Sequence, residues 1–127
     1  MRMRRKSWTE PLIDSCPYYI DEPASRKGHW RELFPKTQPM YLEIGCGKGK
    51  FICETAKKYP DINLIALEKV SDVLLIACES ATAEGVENVR FLNGDAENLE
   101  KYFPLHSFSA IYLNFSDPWH KKRHTKR

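Results

Sequence analysis

The sequence predicts an α/β domain built on a mostly parallel sheet. Three observations carry that prediction. From residue 40 onward, short apolar runs alternate with helix-period segments, in the order strand, helix, strand, helix, strand, helix, strand. The four runs are apolar almost throughout, the pattern of strands buried on both faces. A carboxylate stands at or just beyond the end of each run: Glu43, Glu68, Asp95 and Asp117. Alternation of this kind requires parallel strands joined by right-handed crossovers.

The elements follow in order. "MYLEIG" (40–45) reads as the first strand and "KGKFICETAKKY" (48–59) as the first crossover helix. That helix puts Phe51, Ile52, Thr55, Ala56 and Tyr59 on one face, and Pro60 ends it. "NLIALE" (63–68) is a second strand. "SDVLLIACESATAE" (71–84) is a helix with Ser71 as N-cap, Gly85 as C-terminal cap and a stripe of Leu74, Ala77, Cys78 and Ala81. "NVRFLN" (88–93) is a third strand, "AENLEKYF" (96–103) a short helix stopped by Pro104, and "SAIYLNF" (109–115) a fourth strand. Residues 1–39 form a separate basic extension. Five prolines interrupt it, leaving room only for a short helix around "SRKGHWRELF". Residues 40–127 form the ligand-binding core.

Bulk composition narrows the function classes. The chain has 127 residues, 42% apolar and 29% charged, which suits one soluble globular unit. No apolar run approaches the ~20 residues of a membrane span, and "MRMRRK" leads into polar sequence and not into a secretory core. The net charge of +3 is unevenly spread. Residues 1–6 and 120–127 hold nine of the twenty cations and no acid, whereas 7–119 carries a net −6. A mildly acidic body with basic ends suits a polyanionic partner; solvated, frayed termini are the rival reading for the N-terminal run. No pair of the four cysteines has Cys-x-x-Cys spacing. Cys46, Cys53 and Cys78 read as small core residues in a reducing, cytoplasmic setting. His120 and His124 have no second ligand pair nearby, so no metal site is expected.

Open parallel sheets bind ligands beyond the carboxyl ends of their strands, where the four acids collect. "EIGCGKGKF" supplies a tight glycine turn through Gly45, Gly47 and Gly49. Its spacing is neither the dinucleotide G-x-G-x-x-G nor a P-loop. Glu43 beside the turn suits a cationic ligand. Glu68 can accept both hydroxyls of a ribose, and Asp95 can accept from an adenine amino group or an adjacent backbone group. Adenosine joined to a positive centre describes S-adenosylmethionine.

"EIGCGKGKF", "ALE", "GDAE" and "NFSDPWHKKRHTKR", with the opening "RMRRKSWTEPLI", resemble the bacterial tRNA (guanine-N7-)-methyltransferase family across nearly the whole chain. The resemblance implies a Rossmann-like class I methyltransferase, a doubly wound seven-stranded sheet of which only four strands can be counted here. It implies transfer of a methyl group from S-adenosylmethionine to N7 of a guanosine in the tRNA variable loop. On that pattern Glu43, Gly45, Gly47, Glu68, Asp95 and Asp117 bind the cofactor. Asp117 is also the catalytic acid, orienting guanine and stabilising charge. Lys121 is a substrate lysine, and the segment running through Lys122, Arg123, His124, Lys126 and Arg127 meets RNA phosphates. His120 replaces the family's usual proline. Trp119 either packs on the base or anchors its loop. With strands missing, the fourth strand is expected to leave an apolar edge, and the chain to be a piece of a longer protein or to have that edge covered by a partner. The competing readings are a non-catalytic RNA-binding module with this fold and a small-molecule methyltransferase.

Overall fold

The computed structural model describes residues 9–113 and 123–125. In chain order these form α1 (Thr9–Asp14), β1 (Met40–Ile44), α2 (Lys50–Lys58), β2 (Asn63–Glu68), α3 (Ser71–Glu84), β3 (Val89–Asn93), α4 (Leu99–Tyr102), β4 (Ala110–Leu113) and β5 (Arg123–Thr125). One sheet runs in the order β3-β2-β1-β4-β5. The first four strands are parallel and β5 is antiparallel to β4. The fold is a Rossmann-like α/β sheet with helices on its face. The chain steps outward from β1 to β2 to β3, then jumps across β1 to β4. The strand order therefore reverses between β1 and β4, and the crevice at such a point is where ligands bind.

Two apolar layers sandwich the sheet. On one face α2 and α3 place Ile52, Cys53, Ala56, Leu74, Ala77, Cys78 and Ala81 against Leu64, Ala66, Val89 and Phe91. The α3 stripe read from the sequence is buried at all four positions. The α2 face is rotated from expectation. Ile52, Cys53 and Ala56 are buried, Phe51 and Thr55 are half-buried and Tyr59 is exposed. On the other face Trp30, Phe34, Met40, Leu42, Ile65, Leu67, Leu92 and Phe103 form the second layer. Trp30 stacks on Phe103 with centroids 4.4 Å apart, and its indole N–H donates to the Tyr102 carbonyl at 2.6 Å.

Several local expectations are corrected. The helix expected from residue 48 begins at Lys50, because Gly49 sits at φ 89° and cannot be helical. Ser71 is the first residue of α3 and Val70 is its N-cap. Gly85 does cap α3, at φ 68°. The helix expected near "SRKGHWRELF" is two 3-10 turns, Pro23–Arg26 and Trp30–Leu33, on either side of Gly28 at φ 85°. The 96–103 helix divides into a 3-10 turn, Ala96–Asn98, and the single turn of α4. α1 had no counterpart in the sequence reading. It is six residues long, and Pro11 stands in its first turn, where a missing N–H breaks no helical bond.

Both outer strands have a neighbour. Tyr18 and Ile20 bond to the free side of β3: Phe91 N–H donates to the Tyr18 carbonyl and Ile20 N–H to the Phe91 carbonyl, each at 2.9 Å. Arg90 clasps this segment. Its guanidinium lies 5.3 Å from the Tyr18 ring and 4.9 Å from the Phe34 ring, and Nε donates to the Leu33 carbonyl at 2.8 Å. On the other side, β5 pairs Arg123, His124 and Thr125 with Leu113, Tyr112 and Ile111. The expected bare edge of β4 is thus occupied by this chain's own strand. Backbone amides unpaired in a four-strand sheet find partners in residues read from sequence as a basic, RNA-binding segment.

Candidate functional site

β1 ends at Ile44, and the chain turns sharply through Gly45 (φ 79°) and Gly47 (φ 57°) before Gly49 starts α2. The turn is pinned to β2: Gly45 N–H and Cys46 N–H both donate to the Leu67 carbonyl, at 2.7 and 3.1 Å. The glycines serve different ends. A Cβ on Gly47 would meet no other atom within 4 Å, so space lies open above the loop there. A Cβ on Gly49 would lie 2.8 Å from the Ala77 Cβ, so Gly49 is what lets α2 begin hard against α3. Cys46, Gly47, Lys48, Gly49, Lys50, Phe51 and Glu54 line a recess of about 440 Å³ at this corner.

Glu68, the last residue of β2, organises the edge of the site. Its Oε1 accepts from Gly47 N–H at 3.0 Å and its Oε2 from Val70 N–H at 3.1 Å. One carboxylate therefore ties the glycine loop to the turn entering α3. Each oxygen has a further lone pair, and the side chain is half-buried, not sealed. It can accept two more hydrogen bonds from a diol without giving up those it has.

Glu43 is placed differently from the expectation of an acid presented at the strand edge. It lies within β1, opposite Ala66 and Tyr112, and is 1% exposed. Its carboxylate acts on the loop from below. Burial, and then the Glu43 and Glu68 charges, hold the Cys46 thiol well above its ordinary pKa. Cys46 is therefore a neutral packing group beside the site.

Asp95 is exposed and follows Gly94 at the end of β3. Its Oδ1 caps the Ala96–Asn98 turn by accepting from Glu97 N–H at 3.2 Å. The second oxygen is available to a ligand. The Gly94 N–H donates to the Glu68 carbonyl at 3.1 Å, which links the ends of β2 and β3. Asp117, Lys121 and Lys122, with Lys126 and Arg127, lie outside the described residues. So do Trp119 and His120. Arg123 and His124 lie in β5, with Arg123 opposite Leu113 at the carboxyl end of β4.

The structure thus gathers Gly45, Gly47 and Glu68 at one corner, with Glu43 beneath and Asp95 one strand away. Sequence reading missed the backbone partners of Glu68 and the amide side chain of Asn93, which bonds across the same turn. No motif marks either one.

A family model described as "Putative methyltransferase" matches residues 37–127. The chain belongs to this methyltransferase family. Within the family, a tRNA (guanine-N(7)-)-methyltransferase of Geobacillus kaustophilus is 48% identical over 128 residues, covering all of this chain and 59% of its own length. The chain thus spans about three-fifths of the curated relatives it matches. Among solved structures, the YcgJ protein of Bacillus subtilis is 34% identical over 63% of this chain and 35% of its own, with a TM-score of 0.51. A Methanococcus maripaludis structure, described as a "putative s-adenosyl-l-methionine-dependent methyltransferase", superposes at TM-score 0.55 over 95% of this chain and 57% of its own. At 17% identity, that similarity is one of fold. The sheet order is the part of the methyltransferase fold that the described residues contain.

Proposed function

We propose that this chain is the cofactor-binding part of a tRNA (guanine-N7-)-methyltransferase. Glu68, held by two backbone amides at the carboxyl end of β2 beside an open glycine turn, is the observation that carries the reading. The residues fit S-adenosylmethionine. Glu68 accepts the ribose hydroxyls, the space above Gly47 admits the methionine portion, and Asp95 receives the adenine side. Glu43 and Glu68 give the corner a negative potential that suits a sulfonium and an ammonium group. When bound, that cofactor supplies an activated methyl group on sulfur.

The chain's own residues have a positioning task. Guanine N7 carries an exposed lone pair, so no base is required to create the nucleophile. Rate is gained by holding N7 in line with the methyl group. Asp117, four positions after the last residue of β4 in the sequence, is assigned to orient guanine and to stabilise the cationic purine that forms. Lys121, Lys122, Arg123, His124, Lys126 and Arg127 supply cations for RNA phosphates, with affinity that falls as salt rises. Base choice then comes from the pocket and from tRNA shape. Such work places the protein in the cytoplasm. Relatives with this activity match the chain from end to end, which supports this reading over a non-catalytic RNA-binding module or a small-molecule methyltransferase.

Calorimetry with S-adenosylhomocysteine, together with methyl transfer from labelled S-adenosylmethionine to a tRNA transcript by the intact natural protein, tests the proposal. Binding by the chain and label at N7 of a variable-loop guanosine are expected. Label at another atom, or in a small molecule only, would overturn it.

A further inference from the structure

Asn93 is the last residue of β3 and pairs in register with Glu68. Its side chain contacts the turn between β2 and α3 at three points. Nδ2 donates to the Glu68 carbonyl at 3.0 Å and to the Lys69 carbonyl at 3.2 Å. Oδ1 accepts from Ser71 Oγ at 3.1 Å. The Glu68 carboxylate secures the same turn from within by accepting from Val70 N–H. Every residue from 68 to 71 is therefore bonded either to the Asn93 amide or to the Glu68 carboxylate.

The chemistry of the position is specific. A primary amide offers two N–H donors and a carbonyl acceptor from one planar group, and all three kinds of contact are used here. Aspartate at 93 would have no donor for the two carbonyls and would set a charge beside Glu68. Alanine would remove all three contacts. The fold itself depends on them little. The Glu68 carbonyl retains the Gly94 N–H at 3.1 Å, and Lys69 is exposed to water. What the Asn93 amide adds is the orientation of the turn that carries the Glu68 carboxylate.

We propose that Asn93, oriented by Ser71, is a positioning residue that sets the Glu68 carboxylate for recognition of the ribose diol of the bound nucleoside. The proposal rests on the assignment of Glu68 to the ribose. Asn93 touches no ligand itself. It fixes the carbonyls of the turn while Gly47 and Val70 fix the carboxylate, so Glu68 is held in place, with lone pairs to spare, before any ligand arrives. Preorganisation of this kind increases affinity by lowering the ordering cost of binding.

The test measures ribose selectivity, not affinity alone. Binding of S-adenosylhomocysteine and of its 2′-deoxyribose analogue is measured by calorimetry for the parent chain, Asn93→Ala and Ser71→Ala. The parent is expected to prefer the ribose form. Asn93→Ala should lose affinity for the ribose form by about tenfold, the scale of a misplaced binding group. It should bind the deoxy form nearly as well as the parent does, so its selectivity collapses. Ser71→Ala should shift selectivity the same way by a smaller factor, with its melting temperature near that of the parent. If both variants keep the parent's selectivity, or lose affinity for both ligands equally, Asn93 does not position Glu68. If the parent itself shows no preference for ribose, the assignment of Glu68 fails first and the proposal falls with it.

Discussion

At the amino edge of the sheet, polar side chains are amides whose partners lie inside the protein. At the carboxyl edge Glu68 is a carboxylate with capacity left over, and the amide beside it, Asn93, bonds the turn that carries it. Asn63, fully buried at the start of β2, donates to the Lys36 carbonyl and accepts from Gln38 Nε2, both at 2.9 Å. Asn88, just before β3, donates to the Ala56, Tyr59 and Ile62 carbonyls at 3.0–3.2 Å, serving the orphan carbonyls at the end of α2. A neutral group whose bonds are all internal stabilises without inviting a ligand. Glu68 is the reverse case. Two amides fix it in place, and the half-buried carboxylate keeps lone pairs to spare. The same sheet therefore puts internally bonded amides at Asn63 and Asn88 and a carboxylate with capacity left over at Glu68. Recess volume does not follow that division. The 520 Å³ recess lined by Trp30, Glu32, Pro39, Met40 and His106 exceeds the one at the glycine loop, yet it lies at the amino edge, away from Glu68.

Gly49 is where the comparison breaks most easily, since it serves both packing and site. Gly49→Ala puts a Cβ 2.8 Å from the Ala77 Cβ and 2.9 Å from its Cα, at φ 89°. Backbone strain and overpacking together should cost about 3 kcal/mol of stability, read as a lower urea midpoint at unchanged slope. Cofactor affinity should fall as well, because α2 and the loop must move together. Glu68→Gln should separate the two ends cleanly. An amide there turns one N–H toward a backbone N–H and removes the charge that receives the diol. S-adenosylhomocysteine affinity should fall about 100-fold, or ~2.7 kcal/mol, with a much smaller change in stability. Asn63→Ala should do the opposite. Deserting the Lys36 carbonyl and Gln38 Nε2 should cost about 2 kcal/mol of stability, while cofactor affinity stays within about twofold. Equal losses of affinity in the Glu68 and Asn63 variants would show that the two edges are one coupled system.

Much of the frame was legible because it depends on local pattern. The apolar runs at 40–45, 63–68 and 88–93 are continuous hydrophobic signals, and the α3 stripe is a period-3.6 signal. Tertiary context only trimmed their ends. Gly85 and Pro104 announced their stops through fixed φ or a missing N–H. What stayed hidden was set by distant partners. β5 is three residues of Arg-His-Thr, and only the unpaired edge of β4 makes a strand of them. Ser71 has the chemistry of an N-cap, but its hydroxyl is taken by Asn93, 22 residues away. Glu43 and Glu68 look alike in sequence at the ends of two runs. Two residues of register put the first beneath α2, essentially sealed, and the second at the lip. The glycine turn and Glu68 could thus be named from sequence. Their linkage through the Gly47 N–H, which makes them one site, could not.

The smallest expected effect concerns the thiols beneath both edges, and it appears with pH. Cys53, on the buried face of α2, is 1% exposed, and its pKa is pushed up from 9.0 to about 11. Burial is the main cause. The Glu84 and Glu43 carboxylates add to it, and Lys57 opposes it. A group whose pKa is higher in the folded state binds its proton more tightly there. Its contribution to stability is therefore intact below pH 9 and is lost as pH rises through about 11, because the unfolded chain gives up the proton first. The melting temperature should accordingly decline from about pH 9 upward, and Cys53→Ala should flatten part of that decline. Cys46 is raised in the same direction with Glu68 among its causes. Glu68→Gln should then ease ionisation of Cys46 and speed its alkylation at alkaline pH, while leaving the Cys53 component unchanged. A matching change at both cysteines would mean that the Glu68 charge acts throughout the α2 layer and not only at the carboxyl edge.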